Sequence, residues 1–349
     1  MQGYSNQQHS IVLGIWLMAC AATVYIMIVV GGITRLTQSG LSMVEWAPIM
    51  GVIPPLSEAA WLEVFAKYQA SPEYLKVNLG MSLEDFKGIF WWEYGHRLLG
   101  RFIGLVYFLP LLFFLLKGMV PKSWVPRLFG LFLLGGLQGL MGWYMVKSGL
   151  VDVPHVSQYR LTAHLGLALI IFACMFWFAL DFLRGDVPHN AATPAYLTLS
   201  KVVVAVVLLM MLSGGFVAGT KAGFIMNTFP TMNGQWVPAG WLAQTPWWRN
   251  FFENAVTIQF IHRCIAVLVV IAVLLLYHQS RRQPFATRAG WLLSVTGVQI
   301  ALGISALLLM VPVALGAAHQ AGAVAVLATA LWVAHCARKV PQPNDKLPA

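Results

Sequence analysis

A cluster of ionisable side chains stands where one apolar stretch of this chain begins. Glu93, His96, Arg97 and Arg101 fall within consecutive turns of one predicted helix, and the residues that follow are largely apolar. Glu93 and His96 are three residues apart, so they share one helix face. Ionisable residues are costly inside a membrane and usually serve a function there. A carboxylate beside an imidazole can move protons, and the imidazole can also ligate a metal.

Four of the nine histidines lie inside predicted apolar spans near the outer face: His96, His164, His262 and His319. They fall on the second, fourth, sixth and eighth spans, which all run in the same direction, so the four imidazoles are predicted at similar depth. Two imidazoles from facing helices are what a six-coordinate haem iron needs, and helix bundles commonly hold such sites. Packing by a hydrogen-bonded histidine is the alternative, whereas zinc would need further ligands in each pair. The pattern therefore indicates two bis-histidine haem sites.

Other residues near these histidines fit the same interpretation. Arg97, Arg101 and Arg263 at the helix mouths could neutralise haem propionates through bidentate contacts. Small residues follow each histidine, among them Gly100 and Gly322; they either admit a flat porphyrin or allow close helix packing. The remaining histidines are predicted to be surface residues: His9, His155, His189, His278 and His335.

Composition places these residues in a membrane protein. The chain has 349 residues, of which 59% are hydrophobic and 10% charged, and its mean hydropathy is +0.72. Soluble domains carry roughly 25% charged residues. The net charge of +10 then reflects topology and contact with anionic membrane lipid, not a nucleic-acid partner. The four cysteines lie in or beside apolar runs, which predicts no disulfide framework.

Eight apolar runs are long enough to cross a bilayer, which takes about 20 residues. The fold class is thus an all-α integral membrane protein with eight transmembrane helices. The predicted spans are 12–32, 94–116, 127–147, 160–183, 199–219, 256–278, 287–310 and 313–336.

Charges in the short loops predict the orientation. Basic residues without acids follow the second span, at Lys117, Lys122 and Arg127, and the sixth, at Arg281, Arg282 and Arg288. Such loops remain in the cytoplasm. Both termini are therefore predicted to be cytoplasmic, and the long loops periplasmic. The short polar N-terminus lacks the features of a transit peptide, which favours a bacterial inner membrane. Residues 57–69 of the first long loop show helical spacing of apolar residues and are predicted as a short amphipathic helix.

The two halves of the chain repeat each other. Gly31-Gly32 is matched by Gly214-Gly215 at an offset of 183, and His96-Arg97 is matched by His262-Arg263. The match continues with two further pairs in the same order: Gln138 with Gln299, and Ala163-His164 with Ala318-His319. The repeat predicts two four-helix bundles, residues 1–186 and 187–349, related by a pseudo-two-fold axis along the membrane normal.

The halves differ at two positions that matter for chemistry. Glu93 is replaced by Gln259, and Arg35 by Ala218. An amide cannot take up a proton, whereas a carboxylate one turn from an iron ligand can act as a base. We therefore interpret the first half as the reactive site and the second as the holder of a redox cofactor. The alternative is that Glu93 is a structural partner of Arg97 or Arg35.

Several motifs carry a resemblance to a known family. They span residues 31–42 (Gly-Gly-Ile-Thr-Arg-Leu-Thr-Gln-Ser-Gly-Leu-Ser), 48–55, 93–97 (Glu-Tyr-Gly-His-Arg), 142–150, 160–164 and 259–263. In these motifs, and along nearly its whole length, the chain resembles the haem A synthase family, in the branch with mitochondrial and proteobacterial members. One departure is that the external loops lack the cysteine pairs that some members carry.

The resemblance implies an oxidoreductase that converts a ring methyl group of haem O, by successive hydroxylations, to the formyl group of haem A. It implies a b-type haem with axial ligands His262 and His319, and a catalytic Glu93. Residues that would bind the substrate haem are His96, His164, Arg35 and Arg97. The implied partners are haem O synthase and the assembly of haem-copper terminal oxidases, and a homo-oligomer is left open.

A different class of protein fits the histidines equally well. A bis-haem transmembrane electron-transfer cytochrome, or a haem-carrying oxidase assembly factor, would also need four paired imidazoles. The contrast between Glu93 and Gln259 distinguishes them, because a pure electron carrier built by duplication has no evident need for it. A transporter is disfavoured, since the cytoplasmic halves of the spans have almost no polar lining.

Overall fold

A computed structural model of the chain describes residues 2–45, 50–149, 156–184, 192–281 and 286–338. Within these ranges the fold is helical, and the one strand-like feature is an isolated bridge between Met232 and Gln235. The α-helices are α1 (Gln2–Leu36), α2 (Glu58–Gln69), α3 (Pro72–Lys76), α4 (Leu83–Leu116), α5 (Val125–Gly149), α6 (Gln158–Arg184), α7 (Pro194–Gly219), α8 (Asn250–Glu253), α9 (Ala255–Ser280), α10 (Ala286–Leu308) and α11 (Val313–Ala337).

Eight of the described helices are long and apolar enough to cross a membrane: α1, α4, α5, α6, α7, α9, α10 and α11. The prediction of eight spans is thus confirmed. The largest difference lies in α4, which begins at Leu83, well before the predicted span start at 94. Ser82 caps this early start by accepting a hydrogen bond from the Asp85 N–H, and Glu84 and Asp85 favour the positive end of the helix dipole.

The early turns of α4 support the short helices of the first long loop. Ser57 caps α2 by accepting from the Ala60 N–H, and the predicted helix over 57–69 is confirmed. Phe65 and Tyr68 of α2 are buried against Phe86 and Phe90 of α4. The aromatic packing forms a small core outside the main one, so the first loop is a folded cap on the end of α4.

Contacts between the long helices separate a central group from a flanking one. In the first half α1 packs against α4 and α6, and α5 against α6; in the second, α7 and α10 each pack against α9 and α11. Across the halves α1 contacts α11, and α6 contacts both α7 and α11. Helices α1, α6, α7 and α11 therefore form the centre. The division into two bundles remains a prediction, and its boundary between residues 186 and 187 lies outside the described residues.

Two contacts join positions to their own repeat equivalents. Arg35 donates to the carbonyl oxygen of Ala218 over 3.1 Å, and the Lys221 ammonium donates to Gln38 Oε1 over 3.4 Å. Both pairs are separated by 183 residues, the offset that relates the first helices of the two repeats. A two-fold relation between copies brings a position near its equivalent in this way. These contacts support the predicted repeat at the ends of α1 and α7.

A buried polar network joins α6 and α11 at the end opposite the histidine pairs. His335 is fully buried; it donates from Nε2 to Asp181 over 2.8 Å and accepts at Nδ1 from Arg184 over 2.9 Å. Arg338 also pairs with Asp181. The prediction that His335 is a surface residue is therefore wrong, because helix packing closes over it, whereas His278 is exposed as predicted. His155 and His189 lie outside the described residues.

Candidate functional site

Glu93 is the most tightly held carboxylate at the mouth of α4. Its side chain is 3% exposed. Oε2 accepts hydrogen bonds from the Ser42 hydroxyl and the Met43 N–H, both over 2.7 Å, and Oε1 pairs with Arg97 over 2.5 Å. Both oxygens are thus engaged and the rotamer is fixed. The ion pair with Arg97 that the sequence offered as an alternative is present.

Arg97 binds more than the carboxylate. Its guanidinium donates to the carbonyl oxygens of Met43 over 2.8 Å and Glu45 over 2.9 Å. The turn that follows α1 is therefore fixed against the mouth of α4. We call this set of arginine-to-carbonyl bonds the arginine clasp.

The second half contains the same clasp. Arg263 donates to the carbonyl oxygens of Met226 over 3.0 Å and Thr228 over 2.9 Å. Met226 and Thr228 stand at the repeat offset from Met43 and Glu45. In place of a carboxylate, Gln259 donates from its amide to the Met226 carbonyl oxygen over 3.1 Å. The two arginine-to-carbonyl bonds are shared, whereas Glu93 is replaced by an amide and its partner Ser42 by Ile225. Arg263 also donates to the carbonyl oxygen of Thr231 over 3.4 Å.

The other predicted arginines also have partners in the protein. Arg35 donates to the carbonyl oxygens of Ala218 and Gly219 at the end of α7, which leaves its buried Nε without a partner. Arg101 is partly buried one turn beyond Arg97. Binding of the substrate haem by Arg35 and Arg97, and of haem propionates by Arg97, Arg101 and Arg263, stays a prediction.

The four histidines associate within each half. His96 lies near His164, and His262 near His319, close enough for their charged forms to repel each other. Each pair joins the second and fourth spans of one half, as the repeat predicts. In the described ranges no group of three or more His, Cys, Asp or Glu residues could hold a metal by itself. Two imidazoles suffice for an iron that already has four porphyrin nitrogens.

Each imidazole lies against a glycine of a neighbouring helix, which the sequence analysis did not assign. A Cβ atom built on that glycine would approach the imidazole Cε1 atom closely. The distances are 3.1 Å for Gly31 and His96, 3.2 Å for Gly142 and His164, 3.5 Å for Gly214 and His262, and 2.7 Å for Gly303 and His319. The same repeat positions supply the glycine in both halves, and this regularity could have identified them from the sequence.

The small residues that follow the histidines pack against side chains. A Cβ at Gly166 would lie 3.0 Å from Leu212, and one at Gly322 would lie 2.2 Å from Gln299 Oε1. Of the two alternatives for these positions, the structure shows close helix packing. The space beside the imidazoles is instead provided from the adjacent helices.

The ring nitrogens of the histidines are suited to ligation. His96 Nδ1 and His164 Nδ1 are buried and have no hydrogen-bond partner. Gln138 and Gln299 donate to the carbonyl oxygens of His164 and His319 over 3.1 and 2.9 Å, which fixes those backbones. The Gln138 amide also lies 3.3 Å from His164 Nε2, and the Gln299 amide 3.1 Å from His319 Nδ1. Paired imidazoles that lie against glycines, two of them with an unpartnered Nδ1, fit the binding of haem iron.

Glu73 is a second buried carboxylate of the first half that the sequence analysis missed. It lies on α3 and is 6% exposed, with Oε2 buried and unpaired. Burial and the charge of Glu93 raise its pKa to about 7, against the Tyr68 hydrogen bond and Arg35, which lower it. Ser71 and Pro72 mark the helix start in the sequence, but nothing there shows that the first turn packs inward.

Fold and site together define a multi-span helical membrane protein with two half-buried histidine pairs, one of which stands beside a buried carboxylate that is ion-paired with an arginine. The chain belongs to the cytochrome oxidase assembly protein family, whose profile matches residues 14–331.

Its relatives carry a more specific name. A protein named haem A synthase from Nitrosospira multiformis is 56% identical over 334 residues, covering 94% of both chains. One of the same name from Parvibaculum lavamentivorans is 49% identical and covers 92% of both. A third, from Nitrosomonas eutropha, is 47% identical and covers 93% of this chain and 94% of its own.

Proposed function

We propose that this protein is a haem A synthase, which oxidises a ring methyl group of haem O through an alcohol to the formyl group of haem A. The observation that carries the proposal is the exchange of Glu93 for Gln259 within two clasps that share their arginine-to-carbonyl bonds. It places one carboxylate a single helical turn from His96, and an amide at the equivalent place beside His262. Family membership and the names of the relatives agree with this function.

The two histidine pairs then have different tasks. His262 and His319 would hold a resident b-type haem, which supplies electron transfer when bound. His96 and His164 would hold the substrate haem, so that its reacting methyl group faces Glu93. Arg35 and Arg97 would neutralise propionates near the same mouth.

Glu93 would act on protons in this proposal. Oxidation of a methyl group to a formyl group removes hydrogen from the carbon, and a fixed carboxylate nearby can accept a proton. The hydrogen bonds from Ser42 and Met43 hold the carboxylate in one rotamer. The pairing with Arg97 fixes the second carboxylate oxygen in the same way.

The experiment is a haem extraction after co-expression with haem O synthase in a host without its own haem A synthase. Wild-type protein should yield haem A on chromatography. Glu93→Gln should yield haem O or its alcohol from folded protein. If folded wild-type protein retained b-type haem but formed no haem A, the chain would instead be an electron carrier or a haem-carrying assembly factor.

The proposal also specifies a location. The protein would lie in the bacterial inner membrane with both termini in the cytoplasm, receive its substrate from haem O synthase and supply haem-copper terminal oxidases. Reporter fusions near Lys67 and Trp241 should report the periplasm, and fusions after α9 the cytoplasm. An inverted pattern would contradict the placement of the histidine pairs near the periplasmic face.

A further inference from the structure

One histidine of the four has a hydroxyl partner. Ser213, on α7, lies with its Oγ 2.7 Å from Nδ1 of His262. The same oxygen donates to the carbonyl oxygen of Met210 over 2.7 Å. Ser213 precedes Gly214, the glycine that lies against the His262 ring, so one short segment of α7 contacts both the edge and the nitrogen of this imidazole.

These two contacts determine the tautomer of His262. A serine hydroxyl has one hydrogen, which is directed to the Met210 carbonyl. Ser213 Oγ must therefore accept from His262, and Nδ1 carries the proton. The other ring nitrogen, Nε2, is then unprotonated and has a lone pair for iron.

The first half lacks this partner. Val30 occupies the position that Ser213 has in the second half, directly before Gly31. A valine cannot accept a hydrogen bond, and His96 Nδ1 is buried without a partner. The glycine contact is kept, at 3.1 Å for His96 and 3.5 Å for His262. The halves thus differ in the hydrogen bond to the histidine and not in the room around it.

We propose that Ser213 is a positioning residue that makes His262 a strong and lasting haem ligand, and that Val30 leaves His96 a weaker ligand from which a haem can depart. This inference rests on the proposed function, because it concerns how a resident haem and a substrate haem are told apart. A partner that accepts the second ring N–H fixes the tautomer, raises the basicity of the ligand and typically contributes about 10- to 100-fold to affinity.

The experiment compares Ser213→Val with Ser213→Thr and with the reciprocal Val30→Ser in full-length protein. Measured quantities are the rate at which b-type haem is lost to excess apomyoglobin and the midpoint potential of the retained haem. Ser213→Val should lose haem about 10- to 100-fold faster. The midpoint potential of the haem that this variant retains should rise, because a less basic ligand stabilises ferric iron less. Ser213→Thr should keep both values close to wild type.

Val30→Ser should slow the release of haem from the first site, measured with haem O-loaded protein, and leave the second site unchanged. Unchanged release and potential in folded Ser213→Val would overturn the inference, as would faster release without a change in potential. If wild-type protein bound haem b but His262→Ala released none, the proposed ligand assignment itself would be wrong, and the inference with it.

Discussion

The outer ends of the two halves have the same scaffold and different side chains. In each half, an arginine on the second span donates to two equivalent carbonyl oxygens of the turn that follows the first span, and Arg263 also donates to a third. Glu93 completes the first clasp by accepting hydrogen bonds, and Gln259 completes the second by donating one. Towards this side chain, the turn donates the Met43 N–H in the first half and offers the Met226 carbonyl oxygen in the second.

This comparison shows that the turn and the helix end can pack together without a carboxylate. The second clasp closes with an amide beside Arg263, so the fold of such a mouth does not depend on a buried ion pair. Burying an acid and an arginine together is costly, and a well-packed neutral alternative is often equally stable. The first half nevertheless has one. We infer that Glu93 is retained there for chemistry.

Replacing the histidines should have the largest effect and should distinguish the two haem sites directly. His262→Ala removes an axial ligand of the resident haem, so the low-spin b-type spectrum should disappear from purified protein. His96→Ala should keep that spectrum and lose only the binding of added haem O. Absorbance spectra and haem content of the two variants check this. Equal loss of b-type haem from both would mean that the sites are not distinct.

Exchanging the acid and the amide tests the clasp itself. Glu93→Gln should slow formation of haem A by about 10²- to 10⁴-fold, or about 3–5 kcal/mol of barrier, while the protein stays folded as the second half is. Gln259→Glu should leave activity largely intact and serves as the matched control. Haem A per folded protein gives the rate. A purely structural Glu93 would instead cost roughly 3–5 kcal/mol of stability when replaced.

Glu73 should make the folded cap formed by the first long loop sensitive to pH. Among the described residues, the long loop of the second half has no buried carboxylate that corresponds to it. Its pKa is about 7 in the folded protein against 4.5 for an ordinary glutamate, so its contribution to stability is full below about pH 4.5. That contribution is lost as the pH rises through about 7. Up to roughly 2–3 kcal/mol of local stability should disappear between pH 5 and 8.

Hydrogen exchange of α2 and α3, corrected for intrinsic rates, measures this stability. Tyr68, Glu93 and Arg35 are the groups that act on Glu73, and Glu73→Gln should remove its part of the pH dependence. An identical pH dependence in that variant would exclude Glu73 as its source.

The smallest expected effect compares two glycines of α10. A Cβ at Gly303 would lie 2.7 Å from His319 Cε1, whereas one at Gly297 would meet nothing within 4 Å. Gly303→Ala should therefore displace the imidazole at a cost of about 1–3 kcal/mol, which corresponds to roughly 5- to 150-fold weaker binding of b-type haem. Gly297→Ala should bind b-type haem with the affinity of the wild type. Equal affinities would show that the ring can move without loss.

The sequence by itself determined the eight spans, the internal repeat and the selection of the four histidines. Span length is set by the thickness of the apolar layer, and helices in that layer satisfy their own backbone groups, so local composition suffices to find them. The acid–amide exchange was equally visible, because it depends only on aligned repeat positions. Family resemblance, not spacing, supplied the chemistry.

Tertiary structure alone decided which groups each of these side chains contacts. Packing of neighbouring helices sets the contacts of Gly303 with His319 and of Ser213 with His262, and these depend on helix rotation, which hydrophobic patterning leaves undetermined in lipid. The burial of Glu73 and His335 likewise follows from elements far apart in the chain. A residue's type can be read from its own position, but its hydrogen-bond partner is fixed by the geometry of the segments that close around it.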